Sequence, residues 1–220
     1  LSRTCLGGGV SMAIHESQSR FYENIIGRSR AFCGGIYPWL REHFAPRLDD
    51  VSQDAFYRMI NKAQPSLIRT EADELTYCLH IMVRYELERR MFAGELTAHD
   101  LPAEWNRLYK AYLGVDVPND REGILQDSHW ANGNIGYFPS YAIGSAYGAQ
   151  YLRQMQKDFD VSAAVATGRL TQINCWLEEK IWKYGCMKDP TPLFESVCGP
   201  FDPTCYTAYL RDKFTEVYGL

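Results

Sequence analysis

No stretch of this chain approaches the roughly 20 consecutive apolar residues that a membrane-spanning helix needs, because every hydrophobic run is short and interrupted by charge. No membrane partner is therefore expected. The sequence also lacks a basic block: 23 Lys and Arg stand against 27 Asp and Glu spread along the whole length, a formal net charge of −4, so the footprint of a nucleic-acid binder is missing. No C-x-x-C pair occurs among the seven cysteines, whose odd number argues against a disulfide framework as well as a zinc ribbon. They read as reduced thiols of a cytoplasmic protein, mostly small core residues, with Cys198 and Cys205 the pair near enough in sequence to bridge. The opening "LSRTCLGGGVSMAIHES" shows no signal-peptide pattern. Repeats, low-complexity tracts and linkers are absent too, and a single helical unit over 1–220 is expected.

What is present is helical periodicity. In "EADELTYCLHIMVRYELERRMFAGEL" the spacing predicts a long helix with Leu75, Leu79, Met82 and Leu87 along its inner face and Gly94 as its stop. "DLPAEWNRLYKAYLG" has Pro102 in its first turn, Leu101, Trp105, Leu108 and Tyr112 on one stripe, and Gly114 just past its end. A final helix is capped by Asp202, begins at Pro203 and buries Tyr206, Leu210, Phe214 and Val217. Further helices are predicted over about 9–32, 52–64, 139–158 and 171–184, giving a mainly α fold. The exception is near 121–138, where Asn132-Gly133 and Asn134 to Gly136 supply the turn chemistry of a short hairpin or an ordered loop.

Three polar clusters stand out against that background. In "HESQSRFYEN", Glu16, Ser19, Arg20 and Glu23 share a helical face, which fits either a surface ion pair of Glu16 with Arg20 or a site. In "LIRTEADE", Arg69 and Asp73 lie one helical turn apart: a surface pair, or an arginine whose guanidinium Asp73 holds in the fixed orientation that recognition of a carboxylate requires. "GILQDSHWANGNIGYFPSYAIG" concentrates Gln126, Asp127, His129, Trp130, Tyr137 and Tyr141 among glycines that let backbone approach a ligand closely.

Taken in order, "HESQSR", "IRTEAD", "GILQDSHW" and "GYFPSY" resemble the C-terminal motifs of the thermostable carboxypeptidase 1 family, peptidase family M thirty-two. The resemblance runs over essentially the whole chain. It implies a helical metallopeptidase-like C-terminal half and a metal-dependent carboxypeptidase that attacks the last peptide bond with a metal-activated water. It also implies zinc or cobalt in the complete enzyme, peptide substrates with a free C-terminus, and a homodimer. Glu16 then corresponds to a metal ligand, and His129 and Tyr141, with Tyr137 as the second choice of phenol, to donors for the substrate carbonyl and the oxyanion. Arg69, steadied by Asp73, corresponds to the receptor of the terminal carboxylate, and Gln126 and Asp127 to residues that orient His129.

One departure from the family pattern matters. No HExxH segment occurs in these 220 residues, and the HPF and DxRxT motifs are missing as well. The chain is accordingly expected to start just after the family's two metal-binding histidines, and to be inactive and metal-free by itself. The alternative is a noncatalytic helical binding or assembly module derived from that family.

Overall fold

The computed structural model describes residues 3–220. Regular structure among them is helical throughout, without a strand. Ten α-helices follow in order: α1 (Met12–Arg20), α2 (Arg30–His43), α3 (Gln53–Ile60), α4 (Tyr77–Phe92), α5 (Leu101–Leu113), α6 (Pro139–Met155), α7 (Val161–Ala166), α8 (Leu170–Lys180), α9 (Pro190–Cys198) and α10 (Thr204–Tyr218). The segment near 121–138 is an ordered loop built on two 3₁₀ turns, Ile124–Gln126 and Trp130–Asn132, rather than a hairpin.

The chain divides into two compact units, one made of the residues up to Asn61 together with Ile143–Leu220, the other of Lys62–Ala142. No linker composition marks either junction, and the second falls inside α6.

In the first unit the predicted 9–32 helix is interrupted. After α1 the chain widens into a π-helical segment, Phe21–Ile26, which closes with Gly27 N–H donating to Tyr22 C=O at 2.8 Å. Ser29 then starts α2: its hydroxyl accepts from Phe32 N–H and donates to Ile26 C=O, tying the end of one helix to the start of the next. The core gathers Ile14, Phe21 and Ile25 from the first segments, Tyr151 and Met155 from α6, and Ile173 and Leu177 from α8. At Gly144 the backbones of α6 and α1 come so close that a Cβ would lie 2.7 Å from Glu16 Cβ and 2.9 Å from the Ser17 nitrogen. A side chain of any size at 144 would push α1, and Glu16 with it, away. In α10, Asp202 accepts from Thr204 N–H at the start, and Tyr206, Phe214 and Val217 are buried while Leu210 is partly exposed. All seven cysteines are free thiols.

In the second unit, α4 packs on α5 through Val83, Leu87, Trp105, Leu108 and Leu113, and a neighbouring cluster joins Tyr77, Ile81 and Phe138. The face that α4 buries differs from the expected one. Leu87 is inside, but Leu75 and Met82 are exposed, whereas His80, Arg84 and Glu88 are buried. These ionisable residues recur every four positions, so they share a face. The 123–138 loop supplies the partners of Arg84 and Glu88, while His80 Nδ1 meets the Tyr109 hydroxyl of α5 at 3.1 Å.

Candidate active site

The segment before α4 determines what Arg69 and Asp73 can do. Arg69–Glu71 form a 3₁₀ turn and Ala72 is extended, so the helical spacing that would bring Asp73 beneath Arg69 does not exist. No hydrogen bond or ion pair joins the two. Asp73 instead caps α4: its carboxylate accepts from Leu75 N–H, Thr76 N–H, the Thr76 hydroxyl and Gln64 N–H at 2.8–3.0 Å. The carboxylate that holds Arg69 is that of Asp127. Arg69 Nε donates to both its oxygens, at 3.1 and 3.0 Å, and Nη2 to Oδ1 at 2.6 Å, while Nη1 donates to the Tyr77 hydroxyl at 3.1 Å.

Asp127 is shared. On its other side Arg84, fully buried, reaches Oδ2 through Nε at 2.8 Å and Nη2 at 2.6 Å. Burial pushes the Asp127 carboxyl up, but the two guanidiniums outweigh it and hold the group below the usual carboxylate range. Gln126 is fully engaged beside it: Oε1 accepts from Arg69 N–H and Arg84 Nη2, both at 2.9 Å, and Nε2 donates to Leu67 C=O and Glu122 C=O. Neither residue bonds His129. Asp127 Oδ1 is 3.8 Å from His129 Nδ1, beyond hydrogen-bond distance. Gln126 and Asp127 thus hold the arginines and the loop rather than orienting the imidazole directly.

His129 leads the second 3₁₀ turn, and its Nε2 meets the Tyr141 hydroxyl at 3.0 Å. Its Nδ1 is buried without a hydrogen-bond partner, facing the Asp127 carboxylate. That negative charge favours a proton on Nδ1, which makes Nε2 the acceptor of the Tyr141 O–H. Burial lowers the His129 pKa, assisted by Arg69 and Arg84 against the opposing pull of Asp127, so the ring is neutral at pH 7. Tyr137 packs nearby, tilted to the His129 ring and edge-on to that of Tyr141, with its centroid 5.4 Å from both. The Arg69 guanidinium lies 5.0 Å from the Tyr141 ring centroid.

Of the residues singled out from the sequence, Arg69, Gln126, Asp127, His129, Tyr137 and Tyr141 are thus assembled within one unit, and Asp73 serves the helix start. Glu16 belongs to the other unit. There its carboxylate accepts from the Ser19 hydroxyl at 2.9 Å, and Arg20 pairs with Glu23 rather than with Glu16. Among the described residues no group of three His, Cys, Asp or Glu side chains is placed to hold a metal ion. A protein metal centre draws about three protein ligands, so the residues of this chain do not by themselves fit one; Glu16 offers a single oxygen donor. Arg84, Glu88 and Tyr77 were not anticipated. The signal was the four-residue spacing of charge at 80, 84 and 88 in a segment scanned for apolar periodicity alone.

The helical frame thus holds a buried arginine–carboxylate network beside a neutral imidazole–phenol pair. Comparison with known proteins narrows the class. The family profile described as carboxypeptidase Taq (M32) metallopeptidase matches residues 1–214. Carboxypeptidase 1 of Bacillus subtilis is 45% identical over 220 residues, which is 99% of this chain and 44% of that protein. Thermostable carboxypeptidase 1 of Pyrococcus furiosus is 43% identical, over 96% of this chain and 42% of its own length. The crystal structure of a carboxypeptidase from Deinococcus radiodurans superposes with a TM-score of 0.95 at 41% identity, covering 98% of this chain and 44% of that one. The chain belongs to the M thirty-two metallopeptidase family, and it spans less than half the length of the relatives it matches.

Proposed function

We propose that this chain is the substrate-reading part of a metal-dependent carboxypeptidase, a hydrolase that removes the last residue of peptides with a free C-terminus. The observation that carries the reading is the His129–Tyr141 hydrogen bond beside the Arg69 guanidinium, 3.0 Å and 5.0 Å by the distances above. Successive Cα atoms are about 3.8 Å apart, so a terminal carboxylate and the carbonyl to be cleaved lie within one residue's reach. A guanidinium against the Tyr141 ring, with the phenol hydroxyl at the edge of that ring, offers one group to each.

In this reading Arg69 receives the carboxylate. Asp127 and Tyr77 engage Nε, one hydrogen of Nη2 and one of Nη1, which leaves one hydrogen on each Nη for an end-on fork. The Tyr141 hydroxyl, turned from His129 Nε2 to the substrate, donates to the carbonyl oxygen and then to the oxyanion, and His129 joins it as a donor when its proton moves to the Nε2 thereby freed, with Tyr137 as the second phenol. Glu16 would offer one carboxylate ligand to a zinc or cobalt ion whose other ligands lie outside these 220 residues. A homodimer and a cytoplasmic setting belong to the same proposal.

The test uses a metal-loaded polypeptide that includes these 220 residues and the rest of the family's length. Mass spectrometry should show one residue at a time released from free-acid peptides and almost none from their C-terminal amides. Cleavage of both at equal rates, or of internal bonds only, sinks the proposal.

A further inference from the structure

Glu88 lies on the inner face of α4, 5% exposed, and its carboxylate is held by two neutral donors: Trp130 Nε1–H to Oε1 at 2.6 Å and the Gly136 backbone N–H to Oε2 at 3.3 Å. Burying a carboxylate without a cation is costly, and an apolar residue would suit a core that needed only filling. What the position demands is two acceptors. A carboxylate is acceptor-only on both oxygens, whereas an amide of the same shape would turn an NH₂ toward one of the two donors.

The two donors sit at functional places in the chain. Trp130 directly follows His129, and Gly136 directly precedes Tyr137. Between them residues 131–135 are exposed, and Gly136 has φ +71, a conformation natural to glycine. Glu88 therefore closes the arc at both ends, fixing where His129 leaves it and where the chain enters α6 with Tyr141 in its first turn. The arc adds its own closure, with Asn132 N–H and Asn134 N–H donating to His129 C=O at 3.1 and 2.9 Å. Four residues away on the same face, Arg84 secures Asp127, so α4 grips the loop on both sides of His129.

We propose that Glu88 is a positioning residue that, through Trp130 and Gly136, holds His129 and Tyr141 in hydrogen-bonding register. What His129 then does rests on the carboxypeptidase reading; how it is held does not.

The experiment uses the ¹⁵N-labelled 220-residue chain and three variants, Glu88→Gln, Glu88→Asp and Trp130→Phe. Long-range ¹H–¹⁵N spectra report the His129 tautomer, exchange of the Trp130 indole proton reports the clamp, and urea unfolding reports the fold. The expected wild-type signal is a single neutral tautomer with the proton on Nδ1. In Glu88→Gln and Trp130→Phe the two His129 nitrogens should shift toward the averaged values of a freely exchanging imidazole while unfolding stays cooperative. Indole exchange in Glu88→Gln should rise about 10-fold, as loss of one such bond requires. Glu88→Asp, which keeps both acceptors, should recover part of the wild-type signal. If Glu88→Gln does not fold, Trp130→Phe decides alone. An unchanged His129 spectrum in the folded variants overturns the proposal. In an active polypeptide containing these residues, Glu88→Gln should lower kcat with little change in KM. A displaced His129 with kcat intact would leave the positioning standing and remove the catalytic role given to His129.

Discussion

At the residue scale Asp127 is the pivot, since one carboxylate bridges two guanidiniums of which Arg84 is wholly buried. Arg69→Ala should reduce kcat/KM on free-acid peptides by about 10- to 150-fold, the loss of a charge-assisted bond of roughly 1.5–3 kcal/mol. Amidated peptides should be hardly affected, and Arg69→Lys should recover only part, having no planar fork. Asp127→Asn should weaken the same discrimination and also cost about 3–5 kcal/mol in urea denaturation, because Arg84 is left as an uncompensated buried charge. Asp73→Ala should leave the free-acid preference unchanged and cost about 1 kcal/mol, the usual scale of a lost cap. Equal losses on free and amidated substrates for Arg69→Ala would show that this arginine supports only the fold. A different measurement concerns His80. Burial, with Arg84 and Arg69 nearby, lowers its pKa from 6.5 to about 4. The unfolded chain therefore binds a proton below pH 6.5 that the folded chain refuses until about pH 4, and stability falls with pH through that window by about 3 kcal/mol at most. His80→Gln should flatten the dependence of the urea midpoint there; an unaltered slope would place the titrating group elsewhere.

At the scale of elements, two helices are built against their own periodicity. α6 uses Gly144 to lie against the α1 backbone beside Glu16. Alanine there gains helix propensity of up to about 1 kcal/mol but overpacks backbone atoms, and overpacking costs about 1–3 kcal/mol. Gly144→Ala should thus lower the Tm, whereas Gly148→Ala, whose Cβ would meet the Ile25 side chain and Ser17 C=O at 3.4 Å and Phe21 Cβ at 3.8 Å, should be close to neutral. Equal Tm values for both variants would mean that α1 can shift freely. α4 buries His80, Arg84 and Glu88 alongside its apolar residues and leaves Met82, Tyr85 and Phe92 exposed at spacings of three and seven.

For the molecule as a whole, that outward stripe is an apolar surface open to association. The aromatic loop is not, because Phe138 is only 1% exposed. Light scattering should show concentration-dependent association that Met82→Lys with Phe92→Lys removes; persistence of association in the double variant would assign it to another face. The chain by itself is expected to retain no stoichiometric zinc after dialysis and to hydrolyse no peptide, since the single carboxylate of Glu16 cannot replace about three ligands. Zinc retained in the wild type and lost in Glu16→Ala would reveal ligands not recognised above.

The helices of this protein were legible in its letters because capping and apolar spacing are local: Asp202 before α10, Gly114 after α5 and Ser52 before α3 each act within a turn. The family motifs were legible for the same reason, as short runs of side chains recognisable without their surroundings. Partnerships were not legible. Asp73 stood four residues from Arg69 and Asp127 stood 58, yet an extended residue at 72 turned the nearer carboxylate to the helix start and the fold delivered the distant one. Sequence alone determined that the chain is helical and where its ionisable groups lie. Tertiary structure decided which of them face each other, because an ion pair in a buried site is set by distance through space, and distance along the chain measures that only within a helical turn.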